Sequence, residues 1–267
     1  MKSADFRQNP KENERTEEER RTEDYISGRN AVGEALRSGR AIDKILVAKG
    51  ERSGSITMLL AQCKDRGIPV KEVDSRRLDS LAGPHHQGIA AVAACKEYAT
   101  IDDIFAAAGS KGEPPFIVVC DELEDPHNLG AILRTAEAAG AHGVIIPKRR
   151  SAGLTSAVYK ASAGAVEYVP VARVSNITDA LRELKKRGVW IYGLDMRGGA
   201  WCAADLKGAV ALVVGSEGRG IGRLVHEQCD FTLSLPMLGH VSSLNASVAC
   251  GVLLYEVARQ RQGIIAT

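Results

Sequence analysis

Strand-length runs of consecutive apolar residues recur along this chain, each followed by a turn and then a stretch with helical spacing. In the second half the runs fall at residues 116–120, 144–146, 189–194, 210–214 and 231–235. Helical spacing occupies 128–139, 177–187 and 244–259. Strands that are apolar on both faces, with helices between them, predict a mostly parallel sheet covered on both sides. A second, smaller series lies upstream, with strands at 44–48, 69–73 and 89–94 and helices at 30–38 and 55–66. Gly67 fits a stop for the latter helix.

The two series set the expected domains. Residues 1–24 hold six Lys/Arg and eight Asp/Glu with few apolar side chains, and are expected to form a disordered charged tail. Residues 25–96 form a small α/β domain, 97–115 a linker ending in the breaker-rich Gly-Ser-Lys-Gly-Glu-Pro-Pro, and 116–267 a larger α/β domain. Without the tail the chain carries 29 Lys/Arg against 25 Asp/Glu, which permits a local basic face. No apolar run approaches the ~20 residues of a membrane span, and no leader pattern opens the chain, so the expected compartment is the cytoplasm. The six cysteines form no C-x-x-C pair, which argues for buried reduced thiols and against a zinc site or disulfide framework.

Three segments of the larger domain carry more polar chemistry than a scaffold needs. The first runs from Asp125 to Arg134 and leaves a strand to start a helix, with Asn128 placed as its cap and Arg134 just under two turns further on. A bland reading makes Asn128 only a cap and Arg134 only a solvated charge. The second, Gly215-Ser-Glu-Gly-Arg-Gly-Ile-Gly, follows an apolar run directly, so a ligand can approach its backbone. Its G-x-x-G-x-G-x-G spacing is neither a dinucleotide fingerprint nor a phosphate-binding P-loop, which counts against a dehydrogenase. Glu217 inside it must pair with a cation or serve a ligand. The third runs from Leu235 to Ala249, where Ser242, Ser243 and Asn245 stand at the entrance of an apolar helix and exceed what one cap needs.

In order and spacing these segments resemble the three signature motifs of the TrmH/SpoU branch of the SPOUT class of RNA methyltransferases. The likeness extends over residues 25–260. The first domain is similar to the family's L30e-like substrate-binding module, and the whole is most similar to those members that methylate a guanosine ribose of 23S ribosomal RNA. The resemblance implies a C-terminal trefoil knot, a homodimer, S-adenosylmethionine as cofactor and no metal. It also implies that Arg134 takes the proton of the ribose 2′-hydroxyl with help from a substrate phosphate. Because a guanidinium is normally protonated, a phosphate clamp accounts for the same residue. Asn128, Glu217, Ser243 and Asn245 would complete the polar site. Gly215, Leu235, Met237 and Leu244 would contact the cofactor, although leucines of this kind are equally core residues. In the first domain Arg29, Asn30, Arg37, Arg40 and Lys44 are the candidate RNA contacts, joined by the basic cluster Lys148, Arg149 and Arg150 in the second, each also readable as an ordinary solvated residue. A tRNA target and a non-catalytic RNA-binding assembly factor are the rival functions.

Overall fold

The computed structural model describes residues 25–50 and 54–264, so the expected charged tail at 1–24 lies outside the described residues. The chain divides into two compact units between Ala94 and Cys95. In the first, strands β1 (Tyr25–Ser27), β2 (Ile42–Ala48), β3 (Val70–Val73) and β4 (Ile89–Ala93) form one sheet in the order β1-β4-β2-β3. β2 and β3 are parallel, while β4 runs antiparallel to β1 and β2. Ile89 and Ala91 of β4 pack into one core with Val32 and Leu36 of helix α1 (Arg29–Arg37) and with Ile56 and Cys63 of α2 (Gly54–Asp65). Ala90 and Val92 pack on the other face with Leu78 and Ala82 of α3 (Ser75–Ala82). Burial on both faces is why β4 reads as an unbroken apolar run.

The second unit holds six parallel strands: β5 (Phe116–Cys120), β6 (Gly143–Pro147), β7 (Val171–Val174), β8 (Trp190–Ala200), β9 (Val210–Val214) and β10 (Phe231–Ser234). Their order is β10-β8-β9-β5-β6-β7. Ile117, Val119, Ile145, Ile191, Ala211 and Val213 form one core face with Leu181 and Leu184 of α7 (Ile177–Lys186) and Ile104 of α4 (Ile101–Lys111). Helices α5 (Pro126–Ala138) and α9 (Ala246–Arg261) pack against each other, and α9 also packs on β9. The short α6 (Ser156–Ala161) and α8 (Arg223–His226) complete the unit.

Residues 97–115, expected as a linker, are part of this second unit. Thr100 and Asp103 close a capping box at the start of α4, and Ile104 is fully buried. A Cβ on Gly143 would lie 2.4 Å from Ile104 Cγ1, so a glycine there lets α4 settle onto β6. Upstream of the helix, the Ala99 amide donates to Val171 O (2.9 Å) and Lys96 Nζ donates to the carbonyls of Val166 and Glu167 (2.9 and 2.8 Å). The residues at 112–115 make the turn from α4 into β5 rather than a domain boundary.

The thiol expectation is corrected in part. All six cysteines are free, and Cys63, Cys120 and Cys250 are buried, but Cys95 and Cys202 are exposed. Burial pushes the Cys120 thiol up to about 12. No helix among the described residues is long and apolar enough to cross a membrane.

From β5 the chain moves outward through β6 to β7, then crosses to β8, and β9 returns between β8 and β5. The order therefore reverses at the β5/β9 pair, where Cys120 lies opposite Val214. Loops leaving such a pair diverge and open a crevice at the carboxyl ends of the strands.

Candidate active site

Two of the three singled-out segments begin at this crevice. After β5, Asp125 caps α5 by accepting from the His127 amide (2.9 Å), and Pro126 occupies the first turn, where its missing N–H costs nothing. Asn128 is therefore not the cap that the sequence suggested. It sits in the first turn, 5% exposed, with its amide free for other partners.

After β9, the Gly215–Gly222 loop folds back on itself. The Ser216 amide donates to Gly220 O (3.1 Å), and the Gly220 amide donates to Ser216 O (2.9 Å). A Cβ on Gly215 would come within 2.0 Å of the Gly220 backbone. The loop's own closure thus already demands glycine at 215. Glu217 stands at the tip of this closed loop.

The third segment supplies Asn245 as the cap of α9, which does double duty. Its Oδ1 accepts from the Ser247 and Val248 amides (2.9 and 3.3 Å). Its Nδ2 donates to Asn128 Oδ1 (2.9 Å) and Glu217 Oε1 (2.5 Å). Asn128 Nδ2 donates to the same Glu217 oxygen (3.0 Å). Three residues far apart in sequence thus close one polar triangle, with Glu217 Oε1 taking two amide donors and Oε2 left without a partner among the described residues. Asn128, Glu217, Ser216 and Arg219, with Glu122, Leu123, Glu124 and Asp125, line a cavity of about 340 Å³.

Other candidate residues lie outside the triangle. Arg134 is exposed on α5 and makes no hydrogen bond or ion pair among the described residues; Asn128 does not hold it. Ser243 is exposed, Leu244 is 43% exposed, and Leu235 and Met237 are half-buried. No residue from 235 to 244 forms a hydrogen bond with another described residue. In the first unit Arg29 is tied inward, Nε to Gln87 O (3.0 Å) and Nη1 to Ser55 Oγ (3.2 Å), and Arg37 pairs with Glu34 (2.7 Å). Asn30, Arg40, Lys44 and Arg149 are exposed, and Lys148 is half-buried.

Sequence reasoning passed over Glu122 and Asp121, and read Arg150 only as part of the basic cluster 148–150. Glu122 and Arg150 form an ion pair (2.9 Å) across the loops after β5 and β6, and both have a left-handed backbone (φ 54° each). Asp121 is a buried carboxylate. Its one signal in the sequence is that it is the first charge after a fully apolar strand.

Residues 115–255 match the SpoU rRNA methylase family, and residues 25–99 match the substrate-binding domain of RNA 2′-O-ribose methyltransferases. The chain belongs to the SpoU methylase family. YacO of Bacillus subtilis, which carries the name of the TrmH family of tRNA/rRNA methyltransferases, is 49% identical to this SpoU chain over 246 residues, spanning 90% of this chain and 97% of its own. The S-adenosylmethionine-bound rRNA methyltransferase of Sinorhizobium meliloti superposes with a TM-score of 0.56 at 26% identity, covering 91% of this chain and 88% of its own. The TrmH/SpoU tRNA-modifying enzyme of A. aeolicus superposes with a TM-score of 0.51 at 28% identity, but over 57% of this chain and 77% of its own.

This SpoU protein is accordingly an S-adenosylmethionine-dependent methyltransferase of the SPOUT α/β class. Its residues fit that cofactor. The unbonded backbone at 235–244 offers free N–H and C=O groups, and the partly exposed Leu235, Met237 and Leu244 offer apolar cover, the pairing an adenosine requires. Among the described residues, no group of three His, Cys, Asp or Glu side chains is placed to hold a metal ion.

Proposed function

We propose that this SpoU methyltransferase methylates the ribose 2′-hydroxyl of a guanosine in 23S ribosomal RNA. The observation that carries the reading is the Asn128–Glu217–Asn245 triangle beside a cavity at the sheet's switch point, in a chain that also contains the family's RNA-binding unit. S-adenosylmethionine, when bound, supplies a methyl group on a positively charged sulfur. The ribose oxygen would be the acceptor of that methyl group, and its proton must leave. Held by the triangle, Asn128 and Glu217 line the cavity and orient the ribose, so that binding rather than chance collision aligns the reactants. Ser243, exposed at the entrance of α9, adds a hydroxyl to the same polar surface. Arg134 is an exposed cation with no ion-pair partner among the described residues, which suits it to hold the phosphate next to the reacting sugar. In that role the guanidinium stays charged throughout, and the hydroxyl proton leaves to water. Leu235, Met237 and Leu244 cover the cofactor. Lys148 and Arg149, with Arg29, Asn30 and Arg37 of the first unit, contact the RNA.

The same reading places the protein in the cytoplasm, gives the C-terminal segment the trefoil threading of its family, and makes the active species a homodimer. Dimerisation is supported by an uncovered apolar stripe: Val248, Val252 and Tyr255 are 53%, 37% and 55% exposed at helical spacing along α9, next to Leu244. The rRNA target is favoured over tRNA because the first unit adds a substrate-binding surface beyond the part shared with the A. aeolicus tRNA enzyme. The deciding experiment supplies radiolabelled S-adenosylmethionine with total RNA from cells lacking the protein and maps the labelled nucleotide. Label in a guanosine ribose of 23S rRNA is expected. Label confined to tRNA would replace the target, and cofactor binding with no label in any RNA would leave a binding factor.

A further inference from the structure

Asp121 follows β5 and is only 6% exposed. A carboxylate so placed costs free energy unless something bonds to it. Its backbone amide donates to Val214 O (2.8 Å), extending the β5/β9 ladder one residue past the strands. Its side-chain Oδ2 accepts from the Gly222 amide (2.8 Å). Gly222 is where the glycine loop ends and α8 begins, and its carbonyl accepts from the His226 amide (2.8 Å). Asp121 therefore fastens the far end of a loop whose near end is already fixed in the sheet.

Between these two anchors stand the Ser216–Gly220 cross-tie and, at the tip, Glu217. Glu217 must meet two side-chain amides with one oxygen, a geometry that tolerates little drift in the loop. Burial pushes the Asp121 carboxyl up and Glu122 adds to that, against the opposing Gly222 N–H. The fold keeps this carboxylate although it does not line the cavity. We infer that Asp121 is a positioning residue for methyl transfer: by holding Gly222 it sets the glycine loop at the height where Glu217 engages Asn128 and Asn245. The inference rests on the methyl-transfer reading of this site.

Asp121→Asn keeps an acceptor for the Gly222 amide, whereas Asp121→Ala removes it. With rRNA as the probe, Asp121→Ala should lower kcat about tenfold to a hundredfold, the scale of a misplacement of about 1 Å, while KM for RNA changes less than threefold. Asp121→Asn should recover kcat to within about threefold. The cycle with Glu217→Ala is decisive: in that background Asp121→Ala should cost nothing further, because the residue acts through Glu217. Additive losses, or a failure of Asn to rescue, would overturn the assignment. If Asp121→Ala does not fold, Asp121→Ser takes its place in the cycle, since its hydroxyl is too short to reach Gly222. A wild-type enzyme that labels no RNA would instead defeat the reaction assigned to the site, and the positioning role with it.

Discussion

Asn245 joins two jobs that a substitution can separate. One side of its amide caps α9, and the other ties Asn128 and Glu217 together. Serine caps a helix about as well as asparagine but cannot reach across to Asn128 or Glu217. Asn245→Ser and Asn245→Ala should therefore both lose methyl transfer by at least about tenfold. Asn245→Ala should also be about 1 kcal/mol less stable than Asn245→Ser in urea unfolding, the worth of the cap alone. Equal stabilities would show that the cap contributes nothing here. The polar triangle was legible in the sequence because each corner sits in a distinctive motif. Its wiring was not, since no local pattern says that Asn128 pairs with residues about 90 and 117 positions away. A second reason for Gly215 was hidden for the same cause: the atom its Cβ would strike is Gly220, in a loop whose closure only three dimensions reveal.

At the scale of elements, long periodic segments were legible and short ones were not. α3 escaped notice because only Leu78 and Ala82 are buried, too few to show a period. β8 runs on to Ala200 because its pairing with β10 jumps from Gly193 to Gly199, a shift that no alternation of side chains could announce. α4 lies in the stretch read as a linker. As a core element, it should make Ile104→Ala cost about 2–5 kcal/mol of unfolding free energy, against almost nothing for a solvated linker helix. Chemical denaturation of the variant distinguishes the two. In α9 the surprise is Glu256, buried in a helix read as apolar and gripped by Arg259 through two hydrogen bonds (2.8 and 2.7 Å). Those bonds hold its carboxyl below the usual range. The stability it contributes is therefore complete above the unfolded carboxylate pKa of about 4.3 and is lost as pH falls through its lower folded value. Glu256→Gln should be less stable than wild type near pH 7 by about 1–3 kcal/mol, and the gap should narrow on acidification. A gap that stayed constant between pH 7 and pH 3 would contradict the assigned charge.

On the scale of the whole molecule, the position of the division matters for how its activities can be taken apart. Composition placed a linker at 97–115, yet Lys96, Tyr98, Ala99 and Ile104 all bond to or pack within the second unit. A truncation designed on the sequence, beginning after residue 110, would remove Ile104 and expose the apolar surface beneath it. One beginning at Cys95 keeps that anchorage whole and leaves the first unit's cores out entirely. The two shortened chains should behave differently. Residues 95–267 should fold, bind S-adenosylmethionine within about threefold of the intact affinity and methylate 23S rRNA poorly or at added sites, because the RNA-selecting surface is gone while the triangle is complete. Residues 111–267 should show weakened cofactor binding together with a lower melting temperature. Calorimetric titration of cofactor alongside nucleotide mapping of the products tests both halves of the claim. If residues 95–267 modify the same guanosine as efficiently as the intact chain, target choice resides in the catalytic unit, and the first unit's basic side chains are ordinary solvated charges.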